Sequence, residues 1–245
     1  MKKVLIPLLI LFVVALSGCS SPTAQTSDSK EIYQGLGKAV NFRVGPGEDS
    51  EKVPVYCFNI VLADASFDNE GRIINSYFDI YEVSTPNYDG ASMPHFTGWP
   101  GTDGYNLTDH TTGKVTGIAK NDEASAAEEV NNWKSKRERG DAYGMNPKNE
   151  WYKQMDAYQE FFKGKTVDEI EAWVKKYTSD RNARPLKPDS TNEEDAAKYN
   201  ALTEDEKKEV ADVVSSATMS LNDSHGYIVK ALRNAYESKV KLTID

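Results

Sequence analysis

Two segments in the first third of the chain have the hydrophobic pattern of paired β-strands. Residues 53–62 and residues 73–83 are rich in β-branched and aromatic side chains. The run Asp68-Asn69-Glu70-Gly71 between them is typical of a turn. The pattern predicts a β-hairpin, preceded by a weaker strand around Val40–Val44.

A helical pattern takes over in the second half of the chain. Residues 123–138 have high helix propensity. Farther on, apolar residues recur at the spacing of one helix face, at Trp151, Met155, Tyr158 and Phe162. The sequence therefore predicts one helix over residues 123–138 and a second with an apolar face starting at Trp151.

Capping boxes mark two further helix starts. Residues 166–169 (TVDE) and 203–206 (TEDE) both place a Thr three residues before a Glu, which satisfies free N–H groups at a helix start. A last amphipathic helix is expected to begin near Ser224. Residues 181–202, with two prolines and many charges, are expected to form a linker.

Strands early in the chain and helices late, without regular alternation, indicate an α+β fold with a mainly antiparallel sheet and C-terminal helices. The stretch 32–245 has the length of one domain, and we expect a helical insertion at about residues 120–202 within it.

The N-terminus has the pattern of an export signal. Lys2 and Lys3 precede an apolar run that ends at Leu-Ser-Gly-Cys, which resembles a bacterial lipobox. The resemblance implies that residues 1–18 are a signal peptide and that Cys19 becomes the acylated first residue, with palmitate or a similar chain. Residues 19–31 are expected to be a flexible tether. The expected location is the extracytoplasmic face of the cell membrane, held by the lipid.

The charge balance restricts the partners. The full chain has 29 Lys and Arg against 38 Asp and Glu, a net charge of −9. Because the signal peptide removes two lysines and no acid, 27 basic residues remain and the net charge becomes −11. This disfavours nucleic acid and anionic membrane surfaces as partners.

Cysteine and histidine content argues against a metal site. Cys57 is the one Cys left after Cys19 is acylated, and its apolar neighbours favour a buried thiol. The three His, at 95, 110 and 225, do not have the spacing of metal ligands.

A hydroxyl-rich segment, Asp212 to Ser220, carries the candidate chemistry. It resembles the attachment motif Asp-x-x-Ser/Thr-Gly-Ala-Thr of the FMN-binding domain family, which consists of bacterial extracytoplasmic proteins. The match assigns the motif acid to Asp212, the hydroxyl to Ser215, the Ala to Ala217 and the acceptor Thr to Thr218. One position departs: Ser216 stands where the family has Gly.

The resemblance implies a covalent flavin. In the family, FMN is joined to the final Thr through its phosphate by a Mg-dependent flavin transferase that uses FAD. The similarity extends to the hairpin, where Gly71-Arg72-Ile73-Ile74 matches the family's turn, and covers roughly residues 38–84 and 203–238. The family's Gly permits positive φ and a close approach to phosphate, so the Cβ of Ser216 is expected to hinder modification.

The neighbourhood of Thr218 allows two interpretations. A phosphate there would lie near the start of the last helix, where free N–H groups favour an anion. His225, expected in the first turn of that helix, is either a contact to the flavin ring or phosphate or an ordinary surface residue. Without the family, the hydroxyls would simply cap helices.

An irregular aromatic segment over residues 84–119 leaves three alternatives open: stacking on the isoalloxazine ring, binding a glycan, or extending the core. We favour a cofactor-facing role for one or two of its rings and name Trp99. The basic run over residues 134–139, by contrast, is expected to be a solvated helix face.

The sequence thus predicts a membrane-anchored electron carrier with FMN on Thr218, served by a flavin transferase and by redox partners that the sequence does not identify. The rival hypothesis is a cofactor-free binding lipoprotein that recognises a glycan, peptide or protein through the aromatic segment.

Overall fold

A computed structural model of the chain describes residues 31–88, 90, 93–146 and 148–243. The predicted signal peptide, Cys19 and nearly all of the predicted tether lie outside the described residues. The described strands are β1 (Tyr33–Glu48), β2 (Pro54–Phe67), β3 (Ile73–Ser84), β4 (Asn106–Thr108), β5 (Val115–Ile118), β6 (Asn222–Asp223), β7 (Gly226–Tyr227) and β8 (Val240–Lys241). The described α-helices are α1 (Glu123–Asn131), α2 (Lys136–Arg139), α3 (Trp151–Phe162), α4 (Val167–Tyr177), α5 (Glu193–Asn200), α6 (Glu204–Val214) and α7 (Ile228–Ser238), and a 3₁₀ helix covers Gly140–Tyr143.

The main sheet has the strand order β3-β2-β1-β8, and its neighbouring strands are antiparallel. The predicted α+β class is therefore confirmed. The predicted hairpin is also confirmed, because β2 and β3 pair over their length, with Ala63 opposite Phe78. The strand expected around Val40–Val44 is much longer, since β1 pairs with β2 from Tyr33 onward.

Helix α7 covers the inner face of the sheet at unusually short range. A Cβ on Gly35 would lie 1.9 Å from the carbonyl oxygen of Ala235, and one on Gly37 would lie 2.0 Å from that of Ala231. The two glycines and two alanines therefore let the helix backbone rest directly on β1. The close approach of α7 to β1 fixes the position, relative to the sheet, of the chain segment that precedes α7.

Helices α3 and α4 join the same core. The predicted apolar face of α3 is confirmed, because Trp151, Met155, Tyr158 and Phe162 are all buried. Both predicted capping boxes are present, at the starts of α4 and α6. None of the described helices is long and apolar enough to cross a membrane.

Three helix predictions need correction. The helix expected over residues 123–138 is interrupted at residues 132–135 and forms α1 and α2. The expected linker over residues 181–202 contains α5. The last helix begins at Ile228 rather than near Ser224, because the chain first turns through β6 and β7.

The basic run is not a solvated face. Lys136 is only 1% exposed and its Nζ lies 3.1 Å from the carboxylate of Glu82, while Arg139 is also buried. Because Glu82 belongs to β3, this ion pair joins α2 to the sheet. The prediction failed because the partner carboxylate is far away in sequence.

Candidate functional site

The hydroxyl-rich segment follows the end of α6, and its residue Ala217 belongs to the hydrophobic core. Ala217 is 1% exposed, and its N–H donates to the carbonyl oxygen of Val213 at 2.8 Å. Ser215 is exposed and donates to the carbonyl oxygen of Asp212 at 2.6 Å. Because Ala217 is held in the core, the residues on either side of it face different surroundings.

Thr218 is half-buried and held by α3. Its N–H donates to Oε1 of Gln154 at 2.8 Å, and its hydroxyl lies 3.3 Å from the same oxygen. Gln154 is itself 2% exposed. One turn farther along α3, the Tyr158 hydroxyl donates to the carbonyl oxygen of Met219 at 2.8 Å. Helix α3 therefore fixes both Thr218 and the residue that follows it.

Thr218 lines a cavity of about 340 Å³ that we call the basic cavity. Its charged lining residues are three cations and two acids, namely Arg181, Arg184, Lys187, Asp189 and Asp195. One acid is engaged, because Arg181 pairs with Asp195 at 3.0 Å. The remaining charges favour an anion beside the Thr218 hydroxyl.

A second cavity, of about 220 Å³, shares Arg184 with the basic cavity. We call it the aromatic cavity, since Tyr143 and Trp151 line it together with Met145 and His225. The guanidinium of Arg184 is oriented at this junction because its Nε donates to the Ser220 hydroxyl at 3.0 Å. The two cavities therefore form adjacent parts of one site.

A third cavity, of about 440 Å³, continues from the aromatic cavity. The two share Tyr143, Met145 and His225, and Tyr88 of the aromatic segment lines the far part. The inner face of the sheet contributes Arg43 to this lining.

His225 lies between the aromatic cavity and the third cavity and has a defined tautomer. Arg43 Nη1 lies 3.0 Å from Nε2 of His225, and Asp223 Oδ1 lies 3.3 Å from Nδ1. Because arginine can only donate, Nε2 accepts and Nδ1 carries the hydrogen that Asp223 receives. Burial raises the pKa of Asp223, but hydrogen bonds from His225 and Ser220 outweigh it and bring the pKa down to about 2.

A buried ion cluster holds the guanidinium nitrogen of Arg43 that does not contact His225. Glu82 is 4% exposed and binds Arg43 Nη2 at 2.5 Å and Lys136 Nζ at 3.1 Å. Burial raises the pKa of Glu82, but the positive charges of Lys136 and Arg43 outweigh it and hold the pKa below its usual range. The cluster keeps Arg43 directed at His225.

The other side of the hydroxyl segment has the opposite charge. Asp212 and Ser216 line a cavity of about 430 Å³ with Glu160 and Glu209, which we call the acidic cavity. Its described lining contains three carboxylates and no cation. The structure therefore separates Asp212 and Ser216 from Thr218 instead of gathering the motif around one ligand.

The helix N-terminus does not offer the expected anion site. The N–H groups of Ile228 and Val229, at the start of α7, both donate to the carbonyl oxygen of Leu221, at 2.8 and 3.4 Å. His225 lies in the turn between β6 and β7, not in the first helical turn. These two N–H groups are therefore already paired, and the described positive charges near Thr218 are those of the basic cavity.

Trp99 does not reach this site. It is 74% exposed, and its ring centroid lies 5.4 Å from that of Phe96. Trp99 is not among the residues that line the basic, aromatic or third cavity. Tyr88 of the aromatic segment lines the third cavity, which His225 also lines.

Sequence analysis missed the cations of the basic cavity. Arg181, Arg184 and Lys187 fall in the stretch that was expected to be a linker. Three cations among two prolines, in an acidic protein, were the available signal. The prolines restrict the backbone of this stretch, so a charged cluster there is better fixed than in a flexible linker.

Comparison with known proteins gives one informative match. No family model matches the chain, and no solved structure matches it. The chain is 36% identical over 217 residues to a protein named chlorophenol reductase from Desulfitobacterium hafniense. The match covers 85% of this chain and 58% of that protein, so the chain spans little more than half the length of this relative.

Proposed function

We propose that the protein is a membrane-anchored, extracytoplasmic electron carrier that holds FMN through a phosphoester on Thr218. The observation that supports this most directly is the placement of Thr218, the acceptor position of the attachment motif, at the wall of the basic cavity. When bound, FMN supplies reversible electron transfer.

The basic cavity fits the phosphate end of FMN. Arg184 and Lys187 supply positive charge, and Ser179, Ser190 and Thr191 supply hydroxyl donors in the same lining. Guanidinium and ammonium groups with added hydroxyls are the usual donor set for a phosphate. Gln154 holds the Thr218 backbone in place while the phosphoester forms.

The aromatic cavity fits the ring end. Tyr143 and Trp151 offer flat apolar surfaces, and His225 offers a polar edge that Asp223 and Arg43 orient. Flat aromatic surfaces beside fixed polar groups are suited to bind and orient a ring system. Arg184, at the junction, would lie beside the chain that joins ring and phosphate.

The attachment reaction balances with FAD as donor. The Thr218 oxygen forms a bond to the flavin-side phosphorus of FAD as the pyrophosphate bond breaks, and the hydroxyl proton leaves with AMP. Half-exposure of Thr218 gives the transferase access to the hydroxyl. Ser216 does not have a positive φ, so the backbone here does not require the family's Gly.

The relative's name agrees with redox chemistry. The relative is named a reductase, and a reductase takes up electrons; we extend redox chemistry in general, and not its substrate, to this chain.

The test is co-expression with a flavin transferase, followed by acid precipitation. The wild-type protein should be yellow and should keep its colour in the precipitate, whereas Thr218→Ala should precipitate colourless. Ser215→Ala, which removes an exposed hydroxyl of the same segment that does not line these cavities, is the matched control and should stay yellow. A colourless wild-type precipitate would contradict the proposal and favour the cofactor-free binding lipoprotein.

A further inference from the structure

The outer face of β1 presents a row of exposed apolar side chains. Those on β1 are Leu36, Val40, Phe42 and Val44, which are 61–68% exposed. Val240 and Leu242, at the end of β8, continue the row at 64% and 41% exposed. We call these six side chains the apolar face. Although Lys38 interrupts the row, this much exposed apolar surface on one face of a sheet marks an interaction site in a soluble domain.

The chain covers the neighbouring part of the sheet but not this row. Trp133 packs edge-on against Phe58 of β2, with ring centroids 5.9 Å apart, and Tyr105 packs against Tyr56 at 6.4 Å. These rings cover β2, and Tyr56 of β2 stacks on Phe42 of β1 with ring centroids 5.9 Å apart. Phe42, on the β1 side of that contact, belongs to the apolar face.

Near the start of this row, side chains of α7 already donate hydrogen bonds to backbone carbonyl groups at the edge of β1. The carbonyl oxygen of Leu36 accepts from the Ser238 hydroxyl at 3.1 Å, and that of Lys38 accepts from the Asn234 amide at 2.7 Å. Helix α7 therefore blocks this part of the edge against an added strand. A partner of the apolar face contacts side chains rather than extending the sheet.

We infer that the apolar face rests on a zwitterionic phospholipid bilayer. The inference depends on the anchor at Cys19 and not on the flavin. The described chain begins at Glu31, next to the start of β1 and at the Leu242 end of the apolar face. A flexible tether of the length that the sequence predicts for residues 19–31 would span roughly 20 Å, which would keep the face at a high local concentration near the bilayer.

The charges favour apolar contact over attraction to anionic lipid. Lys38 lies within the row, but Asp64, opposite Leu36 on β2, is also exposed. The chain as a whole is acidic. Valine, leucine and phenylalanine side chains gain by entering the headgroup and acyl boundary without help from surface charge.

This orientation has a consequence for the site. Gly226 packs against Val61 and Ile80 on the inner face of the sheet, and Ile80 also lines the aromatic cavity. The apolar face is on the outer side. A docked protein therefore directs the aromatic cavity away from the bilayer, toward partners in the extracytoplasmic space.

The test places spin labels on the lipidated protein in phosphatidylcholine vesicles. Val40→Cys carries the label on the apolar face, and Lys230→Cys, on the exposed side of α7, is the matched control. Cys57 is 1% exposed and burial raises its pKa to about 11, so it will not compete for the label. Collision rates are measured with oxygen, which concentrates in the bilayer, and with a water-soluble nickel chelate.

We expect the ratio of oxygen to nickel collisions to be several-fold higher at Val40 than at Lys230. Equal ratios on anchored protein would overturn the docking alone. Spin–spin broadening at Val40 that disappears on dilution would overturn it in favour of a second copy. Protein that does not sediment with the vesicles would overturn the docking together with the anchor, leaving the flavin assignment to its own test.

Discussion

Thr218 and Ser216 are two residues apart, yet they face cavities of opposite charge. Thr218 lines the basic cavity with Arg184 and Lys187, whereas Ser216 lines the acidic cavity with Glu209. Buried Ala217 stands between them. The motif alone offers several hydroxyls of similar chemistry. The fold favours a phosphate on one of them and opposes it on another.

Reversing a charge in the basic cavity should have the largest effect on flavin incorporation. Lys187→Glu places a carboxylate in the basic cavity and removes no hydrogen bond described above. We expect flavin incorporation at Thr218 to fall about tenfold, because repulsion of the phosphate raises the barrier. Incorporation is followed by in-gel flavin fluorescence over a time course.

Glu209→Lys is the matched control, with the same size of charge change in the acidic cavity. Incorporation should stay within about twofold of wild type, since solvent screens the added charge from Thr218. Equal losses in both variants would mean that overall charge, rather than the cavity beside Thr218, governs modification.

Removal of the support beneath Thr218 tests its position. Gln154→Ala leaves the Thr218 N–H without its acceptor, and we expect the free energy of unfolding to fall by about 1–3 kcal/mol. Urea unfolding measures this change. Glu160→Gln, on the same helix but facing the acidic cavity, should change stability by no more than about 0.5 kcal/mol. A Gln154 variant as stable as wild type would contradict the support described here.

Acid stability should depend on Asp223. Its folded pKa is about 2, below the ordinary carboxyl value, so its contribution is present near neutral pH and is lost as pH falls through about 4 to 2. Asp223→Asn should flatten that part of the stability curve, measured by thermal melts across pH. An unchanged pH dependence would show that Asp223 does not contribute to stability in acid.

The smallest effect is expected at Ser216. Because its φ is not positive, Ser216→Gly should leave the rate of flavin incorporation within about twofold of wild type and should lower stability slightly through added backbone freedom. Faster and more complete incorporation would restore the original expectation that the Cβ hinders modification.

Local patterns predicted the elements well. The β-branched and aromatic residues of β2 and β3 and the turn between them specify the hairpin, and the buried side of α3 follows from the spacing of its apolar residues alone. Each of these signals lies within one stretch of sequence. Capping boxes behave in the same way, because the hydroxyl and carboxylate are three residues apart.

Long-range contacts explain what could not be predicted. Lys136 was expected in solvent because its partner Glu82 lies on a distant strand. The late start of α7 depends on the contact of Leu221 with its first N–H groups. For the site, the motif indicated Thr218, but the cations around it come from a stretch that looks like a linker until Leu186 packs with Tyr177 of α4 and Val210 of α6.

The most direct test of the central claim is a site-resolved mass measurement. The wild-type chain is co-expressed with a flavin transferase, digested, and the peptide containing Ser215, Ser216, Thr218 and Ser220 is fragmented. The account predicts the added mass of one FMN, less water, on Thr218 alone. An unmodified peptide, or FMN on Ser215 or Ser216 beside the acidic cavity, would contradict it.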